Sequence, residues 1–206
     1  MAYSEPARTI HRAPIRKIRV AGLLTVIAAI AVAVSGQLPA SSSSTAVSRS
    51  EHRGALGEAG GALPHGSTVF DDEVPGVANL DPALLRALRR AATDAAAAGV
   101  RFVVNSGWRS PAYEDQLRRE AVAKYGSEAE AARWVATGTT SPHVSGHAVD
   151  IGPADATSWL SAHGAAYGLC QIYANEPWHY ELRPRAVGHG CPSMYPDPTH
   201  DPRMSR

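Results

Sequence analysis

The feature that most constrains this chain is an apolar run near its start, VAGLLTVIAAIAVAV at residues 20–34. No charged side chain occurs between Val20 and Ser48, whereas residues 1–19 carry five basic side chains and one acidic side chain. A basic flank followed by an apolar run is typical of a secretory signal or a membrane anchor. We therefore expect residues 1–19 to form a cytoplasmic lead and the chain beyond residue 36 to be exported, so that only this later part can form a globular domain.

The apolar segment, residues 20–36, is compatible with a cleaved signal peptide or with an uncleaved anchor. Its core of about 15 residues lies between the usual length of a signal and the ~20 residues that span a bilayer. The long basic lead favours an anchor, while GQLPA at residues 36–40 offers small residues for cleavage. A buried core helix would leave the flanking charges unexplained. Both alternatives place the N-terminal segment at the membrane and the rest of the chain on its extracellular face or secreted from the cell.

Composition divides the exported part into three segments. Residues 37–68 are rich in Ser, Gly and Ala without periodicity, which predicts a flexible linker. Between residues 69 and 185 helical patterns alternate with short strand-like runs, which favours an α+β domain with a small, mainly antiparallel sheet flanked by helices. Residues 186–206 are rich in Pro and His without periodicity, so we expect a C-terminal tail that is held only at Cys191.

Start and stop signals place the elements of this domain. Asp81 followed by Pro82 predicts the start of a helix, and Gly99 predicts its end. Gly126 separates two further helical patterns. The predicted helices cover 82–98, 111–125, 127–138 and 156–169, and the predicted strands cover 100–107, 147–152 and one or two runs within 170–182 that are interrupted at 175–177.

Charge and cysteine content narrow the possible functions. The net charge is +1 and the basic excess lies in residues 1–19, so the domain itself gives no reason to expect nucleic-acid binding. Cys170 and Cys191 both lie in the exported part, where a disulfide between them is expected. Zinc ligation by cysteine would need further thiolates or a CxxC spacing, and the sequence has neither. We expect the protein to act as a monomer.

Three polar clusters lie beside predicted strands: NSGWRS with Arg109, SPHVSGHAVD at residues 141–150, and NEPWH with Glu176 and His179. Each is weak by itself, because an arginine after a turn is usually solvated and a Glu–His pair often only caps a turn. Together they contain what a catalytic zinc requires, which is three protein ligands and an open fourth position for water. The candidate metal ligands are His143, Asp150 and His179, with Glu176 as a base and Arg109 as a fixed positive charge for an anionic group.

The strand pattern distinguishes the two histidines of the second cluster. His143 and His147 are four residues apart, as in helical zinc sites, but Gly146 and the following VDI favour a strand. If Gly146 ends a loop and the strand starts at His147, Ala148 and Asp150 point to one face of the sheet. His143 can approach that face from the loop, whereas His147 points to the other side. We therefore predict that His147 does not bind the metal.

These segments resemble those of a known family. SPHVSGHAVD matches the pattern SxHxxGxAxD, EPWH matches ExWH, and SGWRS is similar to SGYRS. They are signatures of zinc D-alanyl-D-alanine carboxypeptidases, which include the carboxypeptidases and dipeptidases of vancomycin resistance. The wider superfamily also contains lysostaphin-type endopeptidases and the hedgehog signalling domain. The resemblance covers roughly residues 70–185 with its three blocks in the family's order, and it implies a fold of the hedgehog/D-Ala-D-Ala peptidase type.

Carried onto this chain, the resemblance implies one Zn²⁺ bound by His143, Asp150 and His179. Glu176 matches the general base, which would accept a proton from a zinc-activated water. Arg109 matches an arginine that stabilises the scissile carbonyl oxygen or binds the terminal carboxylate of the substrate. The implied reaction is hydrolysis of a peptide bond.

The resemblance also implies a substrate, a peptidoglycan stem peptide or precursor ending in D-Ala-D-Ala that loses its terminal D-Ala. Ser141, which opens the metal motif, is expected to contact this substrate. The span between Asp150 and Glu176 is short, which leaves an L,D- or D,D-endopeptidase that cuts inside cell-wall peptides as an alternative. A non-catalytic zinc-binding module, as in the hedgehog relative, is the alternative from another class, but the presence of Glu176 and Arg109 disfavours it.

Overall fold

The computed structural model of the protein describes residues 57–205. The predicted cytoplasmic lead, the signal or anchor at 20–36 and most of the predicted linker lie outside these residues. Within the described range no helix is long and apolar enough to cross a membrane.

Residues 57–205 contain five α-helices, and local signals explain where the longest one begins. The carboxylate of Asp81 accepts hydrogen bonds from the backbone N–H groups of Ala83 and Leu84 at 2.9 and 3.0 Å, so the predicted helix start is confirmed. Leu84 and Leu88 on this helix are fully buried and pack into the main core. The helices are α1 (Pro75–Ala78), α2 (Pro82–Ala97), α3 (Pro111–Tyr125), α4 (Glu128–Ala132) and α5 (Ala154–His163).

A four-stranded sheet forms the centre of the domain. Its strands are β1 (Val103–Ser106), β2 (Ala148–Gly152), β3 (Leu169–Gln171) and β4 (His179–Leu182). Their order across the sheet is β1-β2-β4-β3, and every neighbouring pair is antiparallel. The predicted α+β class with a small antiparallel sheet is therefore confirmed.

The register of the sheet brings two predicted site residues side by side. In the pairing of β2 with β4, Asp150 lies opposite His179. Val149 and Ile151, the neighbours of Asp150 along β2, are fully buried in the core on the other face. The alternation along β2 therefore turns apolar side chains toward α2 and leaves Asp150 on the face that carries the site.

Two predicted helices are shorter than expected. α4 ends at Ala132. Beyond it, the carbonyl of Val135 accepts a hydrogen bond of 2.6 Å from the side chain of Arg118, a partner outside this helix. α5 ends at His163 and continues as a 3-10 helix, Gly164–Tyr167.

The described part extends beyond the predicted domain at both ends. Within the predicted linker, a 3-10 helix covers Glu58–Gly60, and the carbonyl of Gly60 accepts a hydrogen bond of 2.8 Å from the backbone N–H of Ser110. Leu63, also in the predicted linker, packs against the main core. These contacts place residues 57–68 in the folded body rather than in a linker.

The C-terminal segment is also more than a tail. The predicted disulfide between Cys170 and Cys191 is present. Beyond it, however, Asp197 pairs with Arg133 at 3.0 Å, and Arg203 forms two hydrogen bonds with Glu181 on β4. The expectation of a tail held only at Cys191 is therefore wrong. The sequence does not reveal these ionic contacts, because they follow no periodic pattern. The segment contains 3-10 helices at Pro198–His200 and Pro202–Ser205, and a further 3-10 helix, Pro184–Ala186, leads into it.

Candidate active site

A tight turn before β2 delivers His143 to the site. The backbone N–H of Gly146 donates to the carbonyl of His143 at 3.0 Å, and Gly146 itself has a φ of +72°. A Cβ at this position would lie 2.5 Å from the backbone oxygen of Asn79, so only glycine fits here without a shift. His147, the next residue, is exposed and lies outside the cluster formed by His143.

Three side chains from two strands and this turn converge on one point. Nε2 of His143 lies 3.2 Å from Nδ1 of His179, and Oδ1 of Asp150 lies 3.4 and 3.3 Å from these two nitrogens. A tetrahedral zinc ion with bonds of about 2.0–2.1 Å separates its ligand atoms by about 3.3–3.4 Å. The three atoms therefore form a triangle of the size that one zinc ion requires.

The surroundings of Asp150 support a cation in this triangle. Its Oδ1 atom is buried and has no hydrogen-bond partner among the described residues. Buried polar atoms of proteins are nearly always paired, so an unpaired oxygen between two imidazole nitrogens indicates a missing positive partner. Two imidazoles and one carboxylate are a ligand set that suits zinc, so the residues fit the metal that the resemblance implies.

Each histidine is oriented by a contact on the side away from the triangle. Nδ1 of His143 lies 2.8 Å from the backbone oxygen of Gly107, and Nε2 of His179 lies 3.3 Å from Oε1 of Glu181. Both partners accept hydrogen bonds, so each outer nitrogen carries the proton. In the neutral form of each ring, the inner nitrogen then has its lone pair free for a metal, which is the usual arrangement of metal-binding histidines.

Arg109 lies behind Asp150 and is held by three neighbours. Its guanidinium donates to Oδ2 of Asp150 at 3.0 Å, to Oε2 of Glu114 at 2.8 Å and to Oγ of Ser106 at 2.7 Å. The contact with Oδ2 fixes the carboxylate of Asp150, so that Oδ1 faces the triangle. Burial opposes the charge of Arg109, but Glu114 and Asp150 raise its pKa above the ordinary value.

The charges of the site depend strongly on one another. Burial alone would raise the pKa of Asp150, but His143, His179 and Arg109 lower it well below the usual range. Burial likewise opposes the charged form of His179, whereas its contacts with Asp150 and Glu181 raise its pKa to about 9. A metal ion entering the triangle would have to displace that proton, so binding would release it.

Glu176 lies beside the triangle at the end of the turn that precedes β4. The backbone N–H of His179 donates to the carbonyl of Glu176 at 3.1 Å, and Oε2 of Glu176 lies 3.7 Å from Nδ1 of His179. Its Oε1 atom is buried and has no hydrogen-bond partner among the described residues. Burial raises the pKa of Glu176 to about 7.

A cavity of about 330 Å³ opens above the triangle. Ser141 lines it, but its hydroxyl accepts a hydrogen bond of 3.2 Å from the backbone N–H of His143 and so also stabilises the turn. The cavity extends from the metal ligands along α3 to Trp134, which stacks on Tyr125 with 5.7 Å between ring centroids. The structure thus brings all six predicted site residues to one cavity.

Sequence reasoning missed the residues behind the ligands. Glu181 is two residues after His179 on β4, so the alternation of a strand places both on one face, and that spacing could have identified it. Glu114 is 1% exposed although it lies in a highly charged helical segment, and Arg203 reaches the site from the C-terminal segment. Nothing in the spacing of these two residues signals their contacts.

The geometry defines the class of protein as that of hydrolytic zinc enzymes. These enzymes have a mononuclear metal site, here of the His₂Asp type, with a buried glutamate beside it in a cleft. Residues 77–185 match the family model described as VanY: D-alanyl-D-alanine carboxypeptidase. The chain belongs to this family, and the resemblance drawn from the three sequence blocks is confirmed.

Individual relatives cover less of the molecule. The chain is 34% identical over 113 residues to a D-alanyl-D-alanine carboxypeptidase of Enterococcus faecalis (strain ATCC 700802 / V583), and the match covers 42% of each protein. The chain thus spans about two fifths of the length of that curated relative.

Solved structures show a similar partial likeness. A vancomycin-resistance D,D-pentapeptidase VanY variant in complex with Zn(II) is 29% identical, with a TM-score of 0.48 and coverage of 50% of this chain and 72% of that one. VanYB in complex with D-alanine-D-alanine has the same identity and TM-score, with 50% and 71% covered. The LdcB LD-carboxypeptidase is 22% identical with a TM-score of 0.49, and 60% and 69% are covered.

Proposed function

We propose that the protein is a zinc-dependent D-alanyl-D-alanine carboxypeptidase that removes the terminal D-Ala from peptidoglycan stem peptides. The observation that carries this proposal is the triangle formed by His143, Asp150 and His179, with sides of 3.2–3.4 Å and an unpaired carboxylate oxygen. Membership of the VanY family supports the reaction. A bound zinc ion supplies Lewis acidity, which activates water and polarises a carbonyl group.

Glu176 is the general base of the proposed reaction. Its buried, unpaired Oε1 atom borders the cavity and accepts a proton from the attacking water. The same oxygen then returns the proton to the nitrogen of the leaving amino acid. The Oε2 atom of this carboxylate lies 3.7 Å from Nδ1 of His179, so the base is beside the proposed metal ligands.

Arg109 has two tasks in this proposal. Its fixed bond to Asp150 orients that ligand, and its charge at the cavity wall attracts the scissile carbonyl oxygen or the terminal carboxylate of the substrate. Glu114 and Asp150 offset much of this charge, so orientation of Asp150 is the larger contribution. Ser141, which also lines the cavity, contacts the substrate.

The place of action follows from the sequence and the family. The basic lead and apolar run of residues 1–36 export the domain to the extracellular face of the membrane or to the cell wall, where stem peptides occur. The N-terminal segment contacts the membrane, and the domain acts as a monomer.

A defined peptide ending in D-Ala-D-Ala tests the proposal. Incubation with the zinc-loaded protein should release free D-Ala, and a chelator should stop the release. Cleavage inside the stem peptide would identify an endopeptidase instead. If zinc binds but no bond is cut, the protein is a non-catalytic zinc module.

The Glu176→Gln variant tests the base. It should retain one zinc per chain, while turnover falls by about 10²–10⁴-fold, the usual contribution of a general base. Glu73→Gln, which changes an exposed glutamate in the same way, serves as the control and should keep the wild-type rate. Near wild-type turnover of Glu176→Gln would show that the base is assigned to the wrong residue.

A further inference from the structure

The end of the chain forms part of the wall of the active-site cavity. Pro198 and Met204 line the same cavity as the three proposed metal ligands. Both belong to residues 195–205, which we call the terminal segment. It lies beyond residues 77–185, the range that matches the family model.

The terminal segment reaches His179 through a first route, the carboxylate of Glu181. Arg203 donates from Nη1 to Oε2 of Glu181 at 2.7 Å and from Nη2 to Oε1 at 3.1 Å. Oε1 is also the atom that lies 3.3 Å from Nε2 of His179. Glu181 is completely buried. Its negative charge is stabilised by this bidentate contact and by Arg183, which lies 2.8 Å from Oε2.

A second route passes through an aromatic ring. The hydroxyl of Tyr173 donates to Oδ2 of Asp201 at 3.0 Å. The ring of Tyr173 packs against the imidazole of His179, with 5.0 Å between the ring centroids. Asp201 also accepts hydrogen bonds from the guanidinium of Arg203, so the two routes meet in the terminal segment.

We propose that the terminal segment is a functional part of the site and that Arg203 is a positioning residue, which acts through Glu181 to hold His179 for metal binding. This inference rests on the metal site of the proposed function.

The physical reason is orientation of the ligand. His179 can bind through Nδ1 only while Nε2 carries the proton, and the carboxylate of Glu181 accepts that proton's hydrogen bond. Arg203 fixes both oxygens of Glu181 and so fixes the direction of the acceptor. Loss of such an outer contact typically weakens metal affinity by about 10–100-fold.

The test measures the zinc dissociation constant directly, by competition with a chromophoric chelator. Arg203→Met and Glu181→Gln should each weaken zinc binding by about 10-fold or more. The double variant should bind zinc as well as the single variant with the lower zinc affinity, because both changes remove one and the same contact. Arg185→Met, a change of an exposed arginine in the same part of the chain, should stay within about twofold of wild type.

A purely structural role of Arg203 predicts other results. The metal-free protein would unfold more easily, but the folded fraction would bind zinc with wild-type affinity. Wild-type zinc affinity of folded Arg203→Met, or additive losses in the double variant, would overturn the inference. If Arg203→Met does not fold, Arg203→Lys replaces it, because lysine keeps the charge but cannot donate to both oxygens of Glu181 in the same way. Unchanged zinc affinity of Arg203→Lys would also overturn the inference.

Failure of this inference and failure of the proposed function give different results. If wild-type protein does not bind one zinc per chain, the metal site itself is wrong. If it binds zinc and releases D-Ala while the Arg203 variants bind zinc normally, only the role of the terminal segment is refuted.

Discussion

The two histidines of the site are held in different ways. His143 is oriented by the backbone oxygen of Gly107, which belongs to the same block of chain as Arg109. His179 is oriented by the carboxylate of Glu181, which in turn depends on Arg203 in the terminal segment. One ligand is thus supported by the backbone and the other by a chain of ionised side chains.

The difference divides the site into two halves. We call the turn that carries His143 the local half, because backbone contacts hold it, and we call His179 with the terminal segment the distant half, because ionised side chains connect them. A backbone carbonyl stays in place as long as the sheet and its turns form, whatever side chains surround it. A buried carboxylate keeps its charge and direction only while its arginine partners remain. The His179 side should therefore respond to changes of charged side chains in the terminal segment, whereas the His143 side should respond to changes that move the backbone of its turn or of Gly107.

Removal of the histidines themselves gives the largest expected effect. His143→Ala and His179→Ala should each lose the bound zinc, because two ligands no longer enclose the ion. His147→Ala should retain about one zinc per chain, since this exposed side chain lies outside the triangle. Metal analysis of the three purified variants decides the matter. Loss of zinc from His147→Ala, or its retention by His143→Ala, would contradict the ligand set.

The part of the fold that follows local rules could be predicted from the sequence. The N-cap at Asp81 predicted the start of the helix, and the alternation along β2 predicted the face on which Asp150 lies. Gly146 separated the loop from the strand, and the structure gives it the positive φ that this separation needs. These features depend on residues within a few positions of each other, where backbone geometry limits the choices.

The remainder depends on contacts between distant residues. Arg203 meets Glu181 across 22 positions, and Asp197 meets Arg133 across 64. Charged residues of this kind also occur on solvated surfaces, so their type and spacing do not reveal a partner. The sequence consequently predicts an unstructured tail where the terminal segment lines the cavity.

The disulfide tests the distant half of the comparison. Replacing both cysteines, Cys170→Ser with Cys191→Ser, should lower the free energy of unfolding by about 3 kcal/mol, the effect expected for a loop of this length. The reason is that the unfolded chain gains freedom while the ionic anchors of the terminal segment remain. Denaturant unfolding of the metal-free protein measures the change. A loss below about 0.5 kcal/mol would show that the segment is held without the disulfide.

Gly146 tests the local half. Gly146→Ala should lower the free energy of unfolding by about 1–3 kcal/mol, because alanine at this positive φ also meets the backbone oxygen of Asn79. Gly99→Ala is a matched control, with a φ of +77° and open space around the added Cβ. It should cost only the backbone strain, about 1 kcal/mol. Equal losses in the two variants would show that the contact with Asn79 is unimportant.

Acid should weaken the anchoring of the terminal segment, and Asp197 gives the direction of the effect. Burial raises the pKa of Asp197, but contacts with Thr199, His200 and Arg133 lower it to about 2. An aspartate in an unfolded chain titrates near ~3.9, so the folded state favours the ionised form. This contribution is fully present above pH ~4 and is lost as the pH falls toward 2.

The measurement that isolates this contribution compares Asp197→Asn with wild type from pH 6 to pH 2, with a chelator present so that metal loss does not interfere. Asp197→Asn should unfold at a lower denaturant concentration at pH 6, and the difference should shrink below pH ~4 and nearly vanish near pH 2. Asp155→Asn, at an exposed carboxylate outside the terminal segment, should follow the wild-type pH profile. A difference between Asp197→Asn and wild type that stays constant with pH would mean that Asp197 stabilises the segment by shape rather than by charge.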